Sequence, residues 1–343
     1  MKATLNTISR REFALAVSTL AGGAAFAETP SSDKLGYVLP RRRLGKTGMM
    51  VTRFCPGGMH IEWMPNEADS QKAIELSIEK GVRFFDTAYA YGRGRSEELY
   101  GKFLSPKYRE HVQIMSKTVG KDAKSARQQL EGGLRRMKTD YIDLYLMHAV
   151  DSVEDGKARI QAGVLEELRK AKDEGKIRHI GFSGHRTPEA HNWLLEEGFP
   201  DAEAVLMPIN VADPSYESFI LNTLPRLMKK DVGVLAMKTL GNAGLLGGTR
   251  GGVKGDPVGT GRAVVPQLVS VRDAHRFALS LPVAAIVAGS NDLKQLGENL
   301  DTAKNFLPLT PSERDAMIAA CAEQGKTGEM EFYKWQGMRP KRT

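Results

Sequence analysis

Three short runs, Val82-Arg83-Phe84-Phe85-Asp86, Val112-Gln113-Ile114-Met115-Ser116-Lys117 and Ile142-Asp143-Leu144-Tyr145-Leu146-Met147-His148, share one pattern: a strand-length apolar segment ending on a polar residue. The terminal residues Asp86, Lys117 and His148 are evenly spaced, since 117 − 86 and 148 − 117 both equal 31. A strand, its crossover helix and the two connections take about 30 residues. Equal steps of that length predict three successive βα units, with the polar residues at equivalent strand ends. In a closed barrel of such units those ends form the rim that carries the chemistry.

Working outward, strands are predicted at Val51–Pro56 upstream and at Ile177–Ser183, Ala204–Met207, Val232–Lys238 and Val283–Ala288 downstream. Segments of helical period fall between them, near 69–80, 96–104, 123–137, 157–174, 188–197, 216–229, 271–281 and 293–304. Eight strand–helix units in 343 residues predict an α/β chain folded as a (β/α)8 TIM barrel rather than an open doubly wound sheet. The stretch from Gly241 to Val265 is glycine-rich and aperiodic, so a long loop is expected after the seventh strand, where it could close over a ligand. Leu309-Thr310-Pro311-Ser312-Glu313 predicts the cap of one further helix, followed by a tail bearing Phe332, Tyr333 and Trp335.

Residues 1–27 are expected to lie outside this fold. Lys2, Arg10 and Arg11 precede a weakly apolar stretch from Phe13 to Ala25, which closes on Ala25-Phe26-Ala27. That is the layout of a signal peptide, too short to span a membrane. Ser9-Arg10-Arg11-Glu12-Phe13-Ala14-Leu15 resembles the bacterial twin-arginine motif, which implies the twin-arginine export machinery as a partner and a periplasmic protein without a stable membrane anchor. The expected organisation is a signal peptide at 1–27, a linker at 28–40, and one barrel at 41–343 including the C-terminal helix and tail.

Composition narrows the function classes. With 41% hydrophobic and 26% charged residues the chain reads as an ordinary globular domain, and its net charge of +8 is scattered rather than massed, so neither nucleic-acid nor membrane binding is expected. The two cysteines, Cys55 and Cys321, form no metal or redox spacing, which excludes a cysteine-built zinc or iron–sulfur site, and no metal is expected. Cys55 is expected to be a buried thiol in the first strand.

The polar groups on the rim have complementary chemistry. Tyr91, five residues beyond Asp86, can supply a proton, but a free phenol titrates near pH 10 and an adjacent ammonium is needed to bring it down. Lys117 is expected to be that ammonium, Asp86 to keep it charged, and His148 to orient a carbonyl oxygen as a neutral donor. No side chain donates hydride, so carbonyl reduction here requires a nicotinamide or flavin.

Phe84-Phe85-Asp86-Thr87-Ala88-Tyr89-Ala90-Tyr91-Gly92, followed by Gly94-Arg95-Ser96-Glu97-Glu98-Leu99-Tyr100-Gly101, resembles the aldo-keto reductase signature around its catalytic aspartate and tyrosine. Ile114-Met115-Ser116-Lys117-Thr118 is similar to the family's lysine block, Asp143 to His148 to its histidine block, and Gly289-Ser290-Asn291-Asp292-Leu293-Lys294-Gln295-Leu296-Gly297-Glu298-Asn299 to its adenosine-phosphate block. The resemblance implies an NAD(P)H-dependent reductase of a small carbonyl substrate, with Asp86, Tyr91, Lys117 and His148 catalytic. Cofactor contacts are implied at Ser183, Asn210, Lys238, Gly289, Ser290, Gln295 and Asn299, with the phosphates at the N-terminus of the helix near Leu293. NADP is expected slightly ahead of NAD.

The chain also departs from the family's pattern. Gly184 stands where an asparagine is common, Leu206 where a glutamine is usual, Met237 where a tyrosine stacks, and Gln295 where NADP-preferring members often carry arginine. Two other readings stay open at this level: a Schiff-base lyase using Lys117, and a non-catalytic barrel that keeps the nucleotide as a ligand.

Overall fold

The computed structural model describes residues 31–246 and 269–334; the leader, most of the glycine-rich loop and Trp335 lie outside these residues. Eight parallel strands form one sheet: β1 (Phe54–Pro56), β2 (Phe84–Asp86), β3 (Gln113–Thr118), β4 (Ile142–Met147), β5 (Ile177–Ser183), β6 (Ala204–Pro208), β7 (Gly233–Met237) and β8 (Ala285–Ala288). The ladder runs β1-β8-β7-β6-β5-β4-β3-β2, which brings the first strand beside the last and leaves only the β1/β2 seam without a ladder. Side chains bridge that seam: the Arg83 N–H donates to Thr52 Oγ1 (3.2 Å), and the Gly58 N–H donates to Asp86 Oδ2 (3.2 Å). This is the expected (β/α)8 barrel.

Alternation along each strand builds two cores, because successive side chains point to opposite faces of a strand. Cys55, Phe84, Met115, Leu144, Leu146, Leu206, Leu235 and Ala285 form one buried cluster, the barrel interior. Their neighbours in sequence, including Phe54, Phe85, Ile114, Tyr145, Val205 and Ile286, pack outward with the helices. An antiparallel hairpin of Arg41–Arg43 with Met50–Thr52 adds Leu44, Met49 and Val51 to the interior cluster. Its turn sits tight against the start of β7: a Cβ on Gly45 would lie 2.3 Å from the Gly233 nitrogen. Cys55 and Cys321 are both free and buried.

The helices follow the predicted pattern with two differences. Ala123–Met137 and Leu293–Lys304 match in extent, and Thr310 with Glu313 forms the capping box of Pro311–Gly325. The single helix expected over 157–174 is two, Val153–Gln161 and Val164–Asp173, because the chain turns at Gly163 with φ +83. The segment over 216–229 likewise divides into Phe219–Asn222 and Leu224–Lys229. Among the described residues no helix is long and apolar enough to cross a membrane.

Candidate active site

β2, β3 and β4 deliver Asp86, Lys117 and His148 to one rim, as the 31-residue spacing requires. Lys117 Nζ lies at the centre. It donates to Asp86 Oδ1, to the Thr87 carbonyl (2.7 Å) and to Tyr91 Oη (3.1 Å), and it is fully buried. Asp86, 1% exposed, also accepts from the Gly58 N–H, and its backbone carbonyl accepts from the Tyr100 hydroxyl (2.8 Å). The His148 ring stands edge-on to Tyr91, centroids 5.8 Å apart at 87°. Sequence brings these four groups together in concept, and the fold does so in space.

Electrostatics assigns each group a state. Burial works against the Lys117 ammonium, but Asp86 and Tyr91 outweigh it and raise its pKa, so the amine stays charged. Burial pushes the Asp86 carboxyl up, while Lys117 and the Gly58 N–H pull it back. For His148, burial first and the Lys117 charge second hold the imidazole well below its usual titration range. It is therefore a neutral hydrogen-bonding group at ordinary pH. Tyr91 differs from the sequence expectation. Burial and the Asp86 charge raise it to about 12, more than Lys117 lowers it, so the phenol holds its proton firmly.

Two residues that position this centre went unremarked in the sequence. A Cβ on Gly58 would lie 2.0 Å from the Asp86 carbonyl, so only glycine lets the loop after β1 approach closely enough to donate to Asp86. The Gly57-Gly58 doublet is the signal that could have shown it. Ser96 accepts from the Thr87 hydroxyl (2.8 Å) and donates to the Gly58 carbonyl (2.9 Å), tying the β1 and β2 loops together.

A cavity of about 520 Å3 is lined by Asp86, Tyr91, His60, Trp63, Leu206 and Met237, by Lys238, Thr239 and Asn242, and by Gly289, Asn291, Gln295, Glu298 and Asn299. Of the residues expected to hold a cofactor, Lys238, Gly289, Gln295 and Asn299 lie on its wall. Ser290 is buried immediately behind, its Oγ accepting from Asn299 Nδ2 (3.0 Å), and Asn299 Oδ1 in turn meets His275 Nε2 (3.2 Å).

Ser183 and Asn210 do not line this cavity. Asn210 is spent on other partners: its Oδ1 accepts from the Ala212 and Asp213 N–H groups (2.9 and 3.1 Å), and its Nδ2 donates to Glu331 (2.7 Å) and to Tyr333 Oη (3.1 Å). The tail segment Glu329–Lys334 is anchored there by a buried ion cluster, Lys334 with Asp213 and Glu331, each at 2.7 Å. His191 is buried between the rings of Phe182 and Phe219.

Asp292 caps the helix Leu293–Lys304 at its N-terminus, its Oδ1 accepting from the Gln295 N–H (2.7 Å). Among the described residues no group of three His, Cys, Asp or Glu side chains could hold a metal ion.

Residues 53–260 match the model of the aldo/keto reductase family. The chain belongs to that family. Among similar aldo/keto reductases and oxidoreductases, the uncharacterized oxidoreductase YqkF of Bacillus subtilis is 26% identical over 307 residues, 81% of this chain and 95% of that protein. The holo form of aldo-keto reductase AKR11C1 from Bacillus halodurans shares the fold, with a TM-score of 0.65 over 84% of this chain and 99% of that one at 24% identity. So does Bombyx mori aldo-keto reductase AKR2E4, solved in complex with NADP, with a TM-score of 0.63 at 17% identity over 82% and 93% of the two chains. An NAD(P)H-dependent aldo/keto reductase acts on small carbonyl compounds.

Proposed function

We propose that Tyr91 protonates the carbonyl oxygen of a small aldehyde or ketone while His148 orients it, in the cavity that begins at Asp86. The observation that carries this reading is the Lys117 ammonium bonded at once to Asp86, to the Thr87 carbonyl and to Tyr91 Oη. Reduced nicotinamide, when bound, supplies the hydride. The cavity that would take such a nucleotide is lined by Tyr91 and by the amide side chains of Asn291, Gln295 and Asn299. As the substrate carbonyl gains electron density, Tyr91 gives up its proton and the charge that develops on the phenol is met by the Lys117 ammonium 3.1 Å away. Lys117 held charged is a poor nucleophile, which argues against the Schiff-base lyase reading.

NADP is favoured over NAD only slightly. Glu298 lies on the cavity wall, and Lys294 is 86% exposed and 4.0 Å from it. Without a bidentate arginine, the 2′-phosphate gains little. Titration of the purified protein should therefore give dissociation constants for NADH and NADPH within about tenfold of each other. A preference for NADPH of about a thousandfold would contradict this, and binding of neither would remove the reductase reading altogether.

We further propose that residues 1–27 direct twin-arginine export to the periplasm, supported by the Arg10-Arg11 pair and the weakly apolar stretch behind it. A folded protein exported by that route can carry its nucleotide with it. Arg10→Lys combined with Arg11→Lys should leave the protein in the cytoplasm on cell fractionation; unchanged export would contradict the assignment.

A further inference from the structure

β4 ends at Met147, and the turn that follows carries His148. Both neighbouring strands pin it: the His148 N–H donates to the Thr118 carbonyl and the Val150 N–H to the Ser183 carbonyl, each at 2.8 Å. Ala149 between them stands at φ +52, in the left-handed region that a residue with a Cβ seldom adopts. Such a conformation persists only where the surroundings over-determine it.

Arg159 supplies that hold. It lies on the helix Val153–Gln161, is 3% exposed, and turns its guanidinium back onto the turn: Nη1 donates to the His148 carbonyl (2.6 Å) and Nη2 to the Ala149 carbonyl (3.1 Å). These carbonyls belong to the two peptide groups that meet at the Ala149 Cα, so one planar fork fixes both backbone angles there. The fork is itself aimed by Asp155, one helical turn earlier, whose Oδ1 accepts from Arg159 Nε (3.1 Å) and whose Oδ2 lies 2.6 Å from Nη2. Asp155 also accepts from Lys121 Nζ, in the loop after β3, and from the Asp151 N–H (3.4 Å), and its own N–H donates to Ser152 Oγ (3.1 Å). A chain of charged groups from Lys121 through Asp155 and Arg159 thus ties the loop after β3 to the turn after β4. β3 delivers Lys117 and β4 delivers His148.

We propose that Arg159, aimed by Asp155, is a positioning residue for carbonyl reduction: by fixing the turn at Ala149 it sets where the His148 ring stands against Tyr91, and so where His148 meets the substrate oxygen. The proposal rests on the functional reading above, in which His148 orients the carbonyl. The ring contact at stake is the edge-on one with Tyr91, centroids 5.8 Å apart. The charge of Arg159 is a lesser matter, because burial is the first cause that keeps His148 neutral and the Lys117 charge the second.

The test compares whole-protein variants well below their melting temperatures, so that every molecule counted is folded. Arg159→Met is expected to lower kcat/KM for a carbonyl substrate by about tenfold to a hundredfold, with the dissociation constant for reduced nicotinamide near wild type. Arg159→Lys keeps the charge but cannot grip both carbonyls in one plane, so it should show a similar loss, and it carries the comparison if Arg159→Met does not fold. The deciding measurement repeats both substitutions in a His148→Ala background. If Arg159 acts through His148, they cost nothing further there. Equal losses in the two backgrounds, or wild-type kcat/KM in Arg159→Met and Arg159→Lys, overturn the proposal. Wild-type turnover in His148→Ala, or no turnover in the unsubstituted protein, overturns the functional reading instead. The ring-nitrogen NMR resonances of His148 then decide the proposal: Arg159→Lys shifts them if the fork sets the ring, and unmoved resonances overturn it.

Discussion

Tyr91→Phe is expected to lower kcat for carbonyl reduction by about two to four orders of magnitude, the usual contribution of a positioned acid. The ring, its edge-on contact with His148 and its burial are retained in this variant; only the hydroxyl that meets Lys117 Nζ at 3.1 Å is lost. Nucleotide affinity should therefore stay near wild type, and the loss should fall on kcat. With Tyr91 pushed up to about 12 and His148 held well below its usual range, neither group changes charge near neutral pH. The wild-type kcat for reduction should accordingly show no inflection from either group there. Turnover in Tyr91→Phe equal to wild type would remove Tyr91 as the acid.

Lys117→Met is expected to abolish measurable turnover and also to destabilise the fold. Removing one partner of a buried ion pair leaves Asp86 as an uncompensated charge at 1% exposure, a cost of about 3–5 kcal/mol. The second substitution that separates the two effects is Asp86→Asn. In the double variant no buried charge remains, so chemical-denaturant unfolding should recover most of the lost stability, while activity stays absent because nothing meets the charge developing on Tyr91. Recovery of activity in the double variant would mean that the ammonium is structural only.

Much of this was legible in the sequence, and the reason is periodicity. Each predicted barrel strand is found within a few residues of its place, because parallel strands buried on both faces are written as short continuous apolar runs. The equal spacing of Asp86, Lys117 and His148 places three candidate catalytic groups on one rim before any contact is known. What escaped depends on distances across the fold. Nothing local in Asn210 reveals that its amide is consumed by Glu331 and Tyr333, residues 121 and 123 positions away. The pKa of Tyr91 is set by a balance between burial and two opposed charges, and sequence gives only the names of the charges. Gly163 and the Gly57-Gly58 doublet were readable signals: one breaks a helix, the other admits a backbone donor to Asp86.

The most direct test of the account is a stoichiometric one. Purified protein supplied with reduced nicotinamide and a panel of aldehydes and ketones should consume the nucleotide only when a carbonyl is present, forming one alcohol for each nucleotide oxidised. Firm binding of the reduced nucleotide with no alcohol formed from any member of the panel would contradict it, and would make the barrel a nucleotide-binding protein without reductase chemistry.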